Sequence, residues 1–281
     1  LSSRAHPLRF LSWIPTFWYF LFLLGPLLLI FFTSFATRGD YGGVQWIFNV
    51  DTYRQVFDPL YLTVFFRSIV LAFGTAIACF VIGFPIALVI STSRLHIRSA
   101  LILVLAIPFL TNLVIRICAL KSVTAYGGPL DILLSFLSVD HDPYGLSQNL
   151  ALVAYGMVTS YLPLMIFPIY SALEKFDFNQ VEAAVDLGAS QMTIIFKIIL
   201  PQLRQATVSG CLLVFIPAMG EFVIPDLLGG AKTMLTGNLI SSQFLKTRDW
   251  PFGSAVAICL MMLMFLAIAL FRRLEKAPRH G

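Results

Sequence analysis

Glu182-Ala183-Ala184, Asp186, Gly188 and Ile198-x-Leu200-Pro201 form a polar, charge-bearing segment set between two long apolar runs. Their types and spacing are those of a docking surface. Glu182 and Asp186 stand four residues apart, so on a helix they share one face, and two carboxylates there can meet arginine or lysine. Ala183 and Ala184 carry almost no side-chain bulk and let a partner approach closely. Asp177 or Asn179 can cap a helix over 180–187, and Gly188 can end it in the left-handed conformation. Ser190 can cap a second helix over 191–200, which Pro201 constrains from beyond. Two short helices meeting at a glycine make a compact, L-shaped knob. The plain alternative is an amphipathic loop helix resting on a membrane. A charge-bearing segment between apolar runs has little to do in lipid, which favours a docking surface in water.

The elements that must position this knob are membrane helices. The chain has 281 residues, 58% of them hydrophobic and 12% charged, with a mean hydropathy of +0.87. Soluble domains carry roughly 25% charged and 45–50% apolar residues. Crossing the hydrocarbon core takes about 20 apolar residues, and the chain contains six such runs: 13–35, 64–90, 100–120, 150–172, 206–227 and 252–271. The alternating segments of about 10 residues that a barrel requires do not occur. The expected fold is an all-α membrane protein with six transmembrane helices in a single domain over 1–281. It comprises an N-terminal anchor over 13–35, core spans over 64–271, and a coupling segment over 174–203 between the fourth and fifth spans. The first apolar run is too long for a signal-peptide core, and no A-x-A site follows it. The chain opens on Leu1, which leaves room for a few residues ahead of it.

Basic residues set the orientation. With a cytoplasmic N-terminus, the inner side holds 11 lysines and arginines against 7 on the outer side, counting Arg67 at the outer start of the second run, with Arg116 within the third. The positive-inside rule then puts both termini and the polar segment in the cytoplasm. Of the outer connections, 36–62 mixes Trp46-Ile47-Phe48 with Tyr53–Phe57 as in an interfacial helix. The connection 121–149 has a helical run, 130–137, after Gly127-Gly128-Pro129. No internal repeat is visible, which weighs against an inverted-repeat carrier.

Charges within spans cost roughly 2.5–3.5 kcal/mol near a helix centre, so they mark function or assembly. Glu221 follows Pro217 and Gly220, the expected hinge of the fifth span. At 1.5 Å per residue from Ala206 it stands about 22 Å from the inner end, with Asp226 near the outer mouth. An acidic group beside unwound backbone can take a cation from water; equally, Glu221 can pair with a cation on a partner helix. Arg116 lies near the outer end of the third span, where it can snorkel or pair with a partner subunit. Thr111 and Asn112 just below it can hydrogen-bond across helices or face a pore. Phe109, Tyr126, Tyr155, Tyr161 and Trp250 offer ring faces to ammonium groups, or anchor the interface.

With Glu182, Ala183, Ala184, Gly188, Ile198, Leu200 and Pro201 all matching, the chain resembles the permease subunits of ATP-binding-cassette (ABC) importers. The run 210–230, centred on Pro217-Ala218-Met219-Gly220-Glu221, and Arg248–Ala255 look like those of the putrescine/spermidine importer permeases. The likeness extends from about Ile107 to Phe271. The resemblance implies a pore subunit in a bacterial inner membrane, working by alternating access. It implies a second permease in a heterodimer, two ATPase subunits docked at the 174–203 segment and an extracytoplasmic polyamine-binding protein. The chain lacks G-x-x-x-x-G-K-[ST], so ATP and magnesium belong to the separate ATPase and no cofactor is expected here. Gly229–Thr233 mimics only the end of that motif.

Other classes fit less well. Cys79, Cys118, Cys211 and Cys259 fall one to a span with no CxxC pair, and His6, His96, His141 and His280 are scattered, so no metal site or disulfide framework is expected. The basic residues lie at helix ends rather than in a stripe, which excludes a nucleic-acid surface. No paired catalytic constellation points to an enzyme. The rival transport readings are a permease for another small cationic or organic solute and a stand-alone ion-coupled carrier.

Overall fold

The computed structural model describes residues 15, 17–137, 149–230 and 233–276. The start of the first apolar run, the middle of the second outer connection, Lys232, and His6, His141 and His280 fall outside them. The described chain forms two compact units. The first comprises Leu1–Thr63 with Leu239–Leu263, and the second Val64–Asn238 with Met264–Gly281.

In the first unit, helix α1 (Phe17–Thr33) opens with a wide π turn over Phe20–Leu24 and is exposed along most of its length. A chain with Trp18, Phe20, Phe22, Leu23 and Phe32 all facing outward suits lipid rather than water. The expected interfacial helix is shorter than the sequence implied. Strands β1 (Thr37–Arg38) and β2 (Val44–Gln45) pair antiparallel, Trp46–Phe48 follow in non-helical backbone, and only Asp51–Val56 forms helix α2. Gly42 and Gly43 turn this hairpin with φ of 88° and 84°, and the Gly43 N–H reaches the Arg248 carbonyl at 2.9 Å. Burial raises the Tyr53 phenol above its ordinary range, so it keeps its proton in the 2.8 Å bond with Ser34.

Helix α3 (Pro59–Thr92) leads into the second unit, followed by α4 (Leu95–Leu110), α5 (Leu113–Thr124) and α6 (Pro129–Phe136). Next come α7 (Leu150–Leu173), α8 (Asn179–Asp186), α9 (Gln191–Gln202), α10 (Arg204–Gly220) and α11 (Val223–Leu228). Helices α12 (Thr236–Leu245) and α13 (Trp250–Lys276) complete the order. By length and composition, four of the described stretches can cross a membrane: α3, Leu113–Phe136 (α5 with α6), α7 and Trp250–Arg273 of α13. The pair α9–α10, bent by 75°, makes a fifth, and α1 and α4 are apolar but shorter.

The runs read as the third and fifth spans are each broken, the fifth at the hinge expected after Pro217 and Gly220. The third divides at Thr111-Asn112, and the fifth at Glu221-Phe222. Both breaks follow a proline by four residues, in Pro108-x3-Asn112 and Pro217-x3-Glu221. In each, the side chain at the break accepts hydrogen bonds from the next helix's first N–H groups. Apolar residues follow Pro85 and Pro163 instead, and α3 and α7 run straight through them. Proline alone does not break these helices; proline followed by a capping acceptor does.

Helix α7 is the axis of the second unit's core. Val153, Met157, Met165, Ile166, Ile169 and Leu173 along it are fully buried, and Val214, Phe215, Ala218 and Met219 of α10 pack as deeply. Hydrocarbon gives no hydrophobic reward for helix association, so contact depends on close fit, and small residues permit it. A Cβ at Gly210 would lie 2.8 Å from Met165 Sδ and 3.3 Å from the Met165 carbonyl; one at Gly156 would lie 3.1 Å from Ile224. Gly210→Val is expected to destabilise the α7–α10 contact by about 1–3 kcal/mol. The check is the thermal midpoint of the detergent-purified protein; an unchanged midpoint would contradict the close fit.

Candidate functional site

The polar segment folds as two short helices joined at a left-handed glycine. Leu173 ends α7, and consecutive turns carry the chain on: the N–H groups of Lys175, Phe176, Gln180 and Val181 bond the carbonyls three residues back. Asp177 does not cap the helix over 180–187 directly. It accepts from the Asn179 N–H at 3.1 Å, and α8 starts at Asn179. Gly188 adopts φ 79° after α8, with its N–H on Val185 O at 2.8 Å and that of Ala189 on Ala184 O at 2.9 Å. Ser190 Oγ then accepts from the Thr193 N–H at 3.3 Å and caps α9.

Pro201 does not lie beyond α9; it sits in the last turn. Its ring removes a donor and crowds the carbonyl four residues back, and here the preceding turn widens to a π turn over Ile195–Ile199. Ile198 and Leu200 lie in and just after that turn. Buried Leu203 then marks the 75° bend into α10. Gln202 Nε2 donates to Gln180 Oε1 at 2.7 Å and ties the second arm of the knob to the first.

The knob's outer surface is not only acidic. Glu182, Ala183 and Asp186 are exposed, whereas Ala184 turns inward. Val185, Leu187, Met192 and Phe196 are 56%, 89%, 68% and 62% exposed. Sequence reasoning missed these four, although apolar residues beside the turn glycine in a polar segment were the available signal. Acid and bare hydrocarbon side by side define a surface shaped to be covered.

The second group of singled-out residues lies at the two breaks. Asn112 Oδ1 accepts from the N–H groups of Val114 (2.8 Å) and Ile115 (3.4 Å), and Thr111 Oγ1 donates to the Pro108 carbonyl at 2.7 Å. Arg116 Nη1 donates to that same carbonyl at 2.6 Å. Of the two readings of Thr111 and Asn112, bonds across helices or a pore-facing position, these bonds are local rather than across helices. At the other break, buried Glu221 accepts from Val223 N–H (2.8 Å) and Ile224 N–H (3.3 Å) with Oε1, and the Tyr161 hydroxyl donates to its Oε2. Asn238 Nδ2 donates to the Phe222 carbonyl at 2.9 Å.

The structure therefore brings Tyr161 and Glu221 together, through the hydroxyl rather than the ring face. Asp226 lies exposed on the short helix that Glu221 caps, and Phe109 and Tyr126 are exposed. Pro217 stays within α10, and the backbone leaves the helix at Gly220-Glu221. Among the described residues, no three His, Cys, Asp or Glu side chains group as a metal site, and all four cysteines are free.

A polar two-helix knob, apolar helices with outward-facing hydrocarbon and two capped breaks fit a membrane transport subunit. The chain belongs to the family described as binding-protein-dependent transport system inner membrane component, which it matches over residues 8–280. It is 41% identical over 259 residues to the spermidine/putrescine transport system permease protein PotB of Salmonella typhimurium, covering 92% of this chain and 90% of that one. It is 27% identical over 261 residues to PotC, a permease protein of the Haemophilus influenzae spermidine/putrescine system, covering 92% and 94%. In fold it matches a chain of the bacterial alginate ABC transporter solved with an alginate pentasaccharide-bound periplasmic protein. That match has a TM-score of 0.68 at 16% identity and covers 96% and 94% of the two chains.

The cap at Glu221 separates two roles experimentally. Glu221→Ala leaves two N–H groups and the Tyr161 hydroxyl without their acceptor, and is expected to destabilise by about 1–3 kcal/mol. Amide exchange at Val223 and Ile224 should accelerate in that variant, while Glu221→Gln, which keeps an acceptor oxygen, should leave it slow. Slow exchange in both variants would contradict the capping assignment.

Proposed function

We propose that this chain is the pore-forming permease subunit of an ABC importer that moves a polyamine, putrescine or spermidine, across the bacterial inner membrane by alternating access. The observation that carries the substrate is the 41% identity to PotB along nearly the whole of both chains. In this reading, residues 1–281 act as one transmembrane domain of six spans with both termini cytoplasmic. The broken third span counts as one crossing, and so does the bent and broken fifth.

The segment 174–203 is the coupling knob. Glu182 and Asp186 present charge to a basic groove on the ATPase. Ala183 permits close approach, and Ala184 seats the helix against its own segment. Gly188 makes the corner, while Ile198, Leu200 and Pro201 shape the second arm. A separate ATPase pair supplies ATP hydrolysis and magnesium; this chain does no chemistry of its own. A second permease completes the pore, and an extracytoplasmic binding protein delivers the polyamine. The alginate system, whose structure includes a periplasmic protein, and the existence of PotC beside PotB support that composition.

Glu221 is the acidic element of the pathway, with Tyr161, Asp226, Asn112, Thr111, Phe109 and Tyr126 along it and Pro217 and Gly220 as its hinge. A cationic amine that approaches Glu221 meets a carboxylate already held in place by two N–H groups and a phenol. It therefore loses little in reorganising the site.

Two outcomes test this reading. Labelled putrescine or spermidine should enter proteoliposomes only when this chain is reconstituted with its partner permease, ATPase and binding protein, and with ATP on the ATPase side. Uptake by the chain alone, driven by an ion gradient, would make it a secondary carrier. Gly188→Asp places a side chain at φ 79° and adds a third carboxylate to the acidic face. It should abolish substrate-stimulated ATP hydrolysis while the chain stays in the membrane; full uptake by that variant would sink the coupling assignment.

A further inference from the structure

Arg98 and Glu174 form an ion pair that neither of their helices explains. Arg98 lies in the first turn of α4, where the partial positive charge of unpaired N–H groups disfavours a cation. Glu174 is the C-cap of α7, where unpaired carbonyls disfavour an anion. Each charge stands at the wrong end of its own helix and faces the other. The contact is built rather than incidental. Arg98 Nη2 donates to Glu174 Oε1 while its Nε donates to the Tyr170 hydroxyl, and its guanidinium carbon lies 5.0 Å from the Tyr170 ring centroid. The Arg98 side chain is 20% exposed and that of Glu174 52%, so Arg98 is held more firmly than in a loose surface pair.

What the pair joins gives it meaning. Glu174 stands five residues before the first residue of α8; hydrogen-bonded turns end at Phe176 and resume at Asp177, and the Phe176 and Phe178 rings meet edge to face at 5.2 Å across that junction. A link this short leaves the knob little room to move without shifting Glu174. Arg98 belongs to α4, the helix that ends at the Thr111-Asn112 break. The Arg116 bond to Pro108 then holds the far end of α4 to α5. A rigid element with one end on the knob and the other on a broken span can bias both.

We propose that the Arg98–Glu174 pair, seated on Tyr170, is a transmission tie that couples movement of the 174–203 knob to helix α4. Arg98, Tyr170 and Glu174 are positioning residues on this account: they touch neither substrate nor nucleotide. The proposal rests on the reading of the knob as the ATPase dock, so the experiment must let the two fail separately.

The test is made on the complete reconstituted importer in proteoliposomes, with labelled putrescine and spermidine. It reads polyamine uptake, ATP hydrolysis and co-purification of the ATPase. Arg98→Ala and Glu174→Gln are expected to retain the ATPase but to lower uptake per ATP hydrolysed by about tenfold. Tyr170→Phe should show a smaller loss in the same direction. The exchange Arg98→Glu with Glu174→Arg should restore the ratio, because it rebuilds the pair and also places each charge at its favoured helix end.

Wild-type uptake per ATP in Arg98→Ala would overturn the tie. Loss of assembly in the single variants would overturn it as well, if the double exchange restored assembly but not the ratio, since the pair would then serve folding alone. Failure of the docking reading has a different pattern: Gly188→Asp would keep both ATPase stimulation and uptake. Loss of uptake in Gly188→Asp beside normal Arg98→Ala retains the dock and rejects only the tie.

Discussion

The structure depends on one constraint: hydrocarbon offers no partner to a backbone N–H or carbonyl, so every interruption of a spanning helix must satisfy its own polar groups. Both described breaks do so in the same way. A proline withholds one donor, and four residues later Asn112 or Glu221 supplies an acceptor to the start of the next helix. A donor from elsewhere takes up a carbonyl at each break, Arg116 on Pro108 and Asn238 on Phe222. Glu221 is tolerated at a depth where an unpaired carboxylate would be costly because two N–H groups and Tyr161 surround it. The same bonds hold the charge at a fixed point beside unwound backbone. Structural cap and candidate substrate group are therefore one side chain in two descriptions.

The same constraint bears on the polar part of the segment 174–203. Its exposed acids, amides and corner glycine need water or a protein partner. Its exposed Val185, Leu187, Met192 and Phe196 are better covered than wet. A segment that suits neither lipid nor bare water suits a docked subunit. Glu174 stands only five residues before α8, and the Gln180–Gln202 bond ties the knob's two arms, so its displacement can pass to the end of α7.

Much of this was legible in the sequence, for identifiable reasons. Spacing carried the knob: Gly188 and Ser190 take the backbone and capping roles their types dictate, because few residues can do either. Long apolar runs carried the helices, and Pro217 with Gly220 marked the fifth span's break, but hydropathy averages over Thr111-Asn112 and hid the third span's. The signal was the capping residue four places after each proline, which periodicity does not register. Pro201 was misread for a related reason: a π turn accommodates it inside the helix, and nothing local distinguishes that from termination. The hairpin at 37–45 escaped because its order depends on partners around Arg248, some 200 residues away. Tertiary pairing also made Arg98 and Glu174 invisible, as each looks ordinary until the other is placed beside it.

The central claim is that the knob carries the contact through which ATP hydrolysis drives this chain. The most direct measurement is photocross-linking from a benzoylphenylalanine introduced at exposed Ala183, in the assembled importer in membranes, with and without ATP. The account predicts a cross-link to the ATPase subunit, with a yield or partner residue that changes when nucleotide closes the ATPase pair. An assembled, transport-competent complex in which position 183 labels only lipid or solvent-facing protein, and never the ATPase, would contradict it.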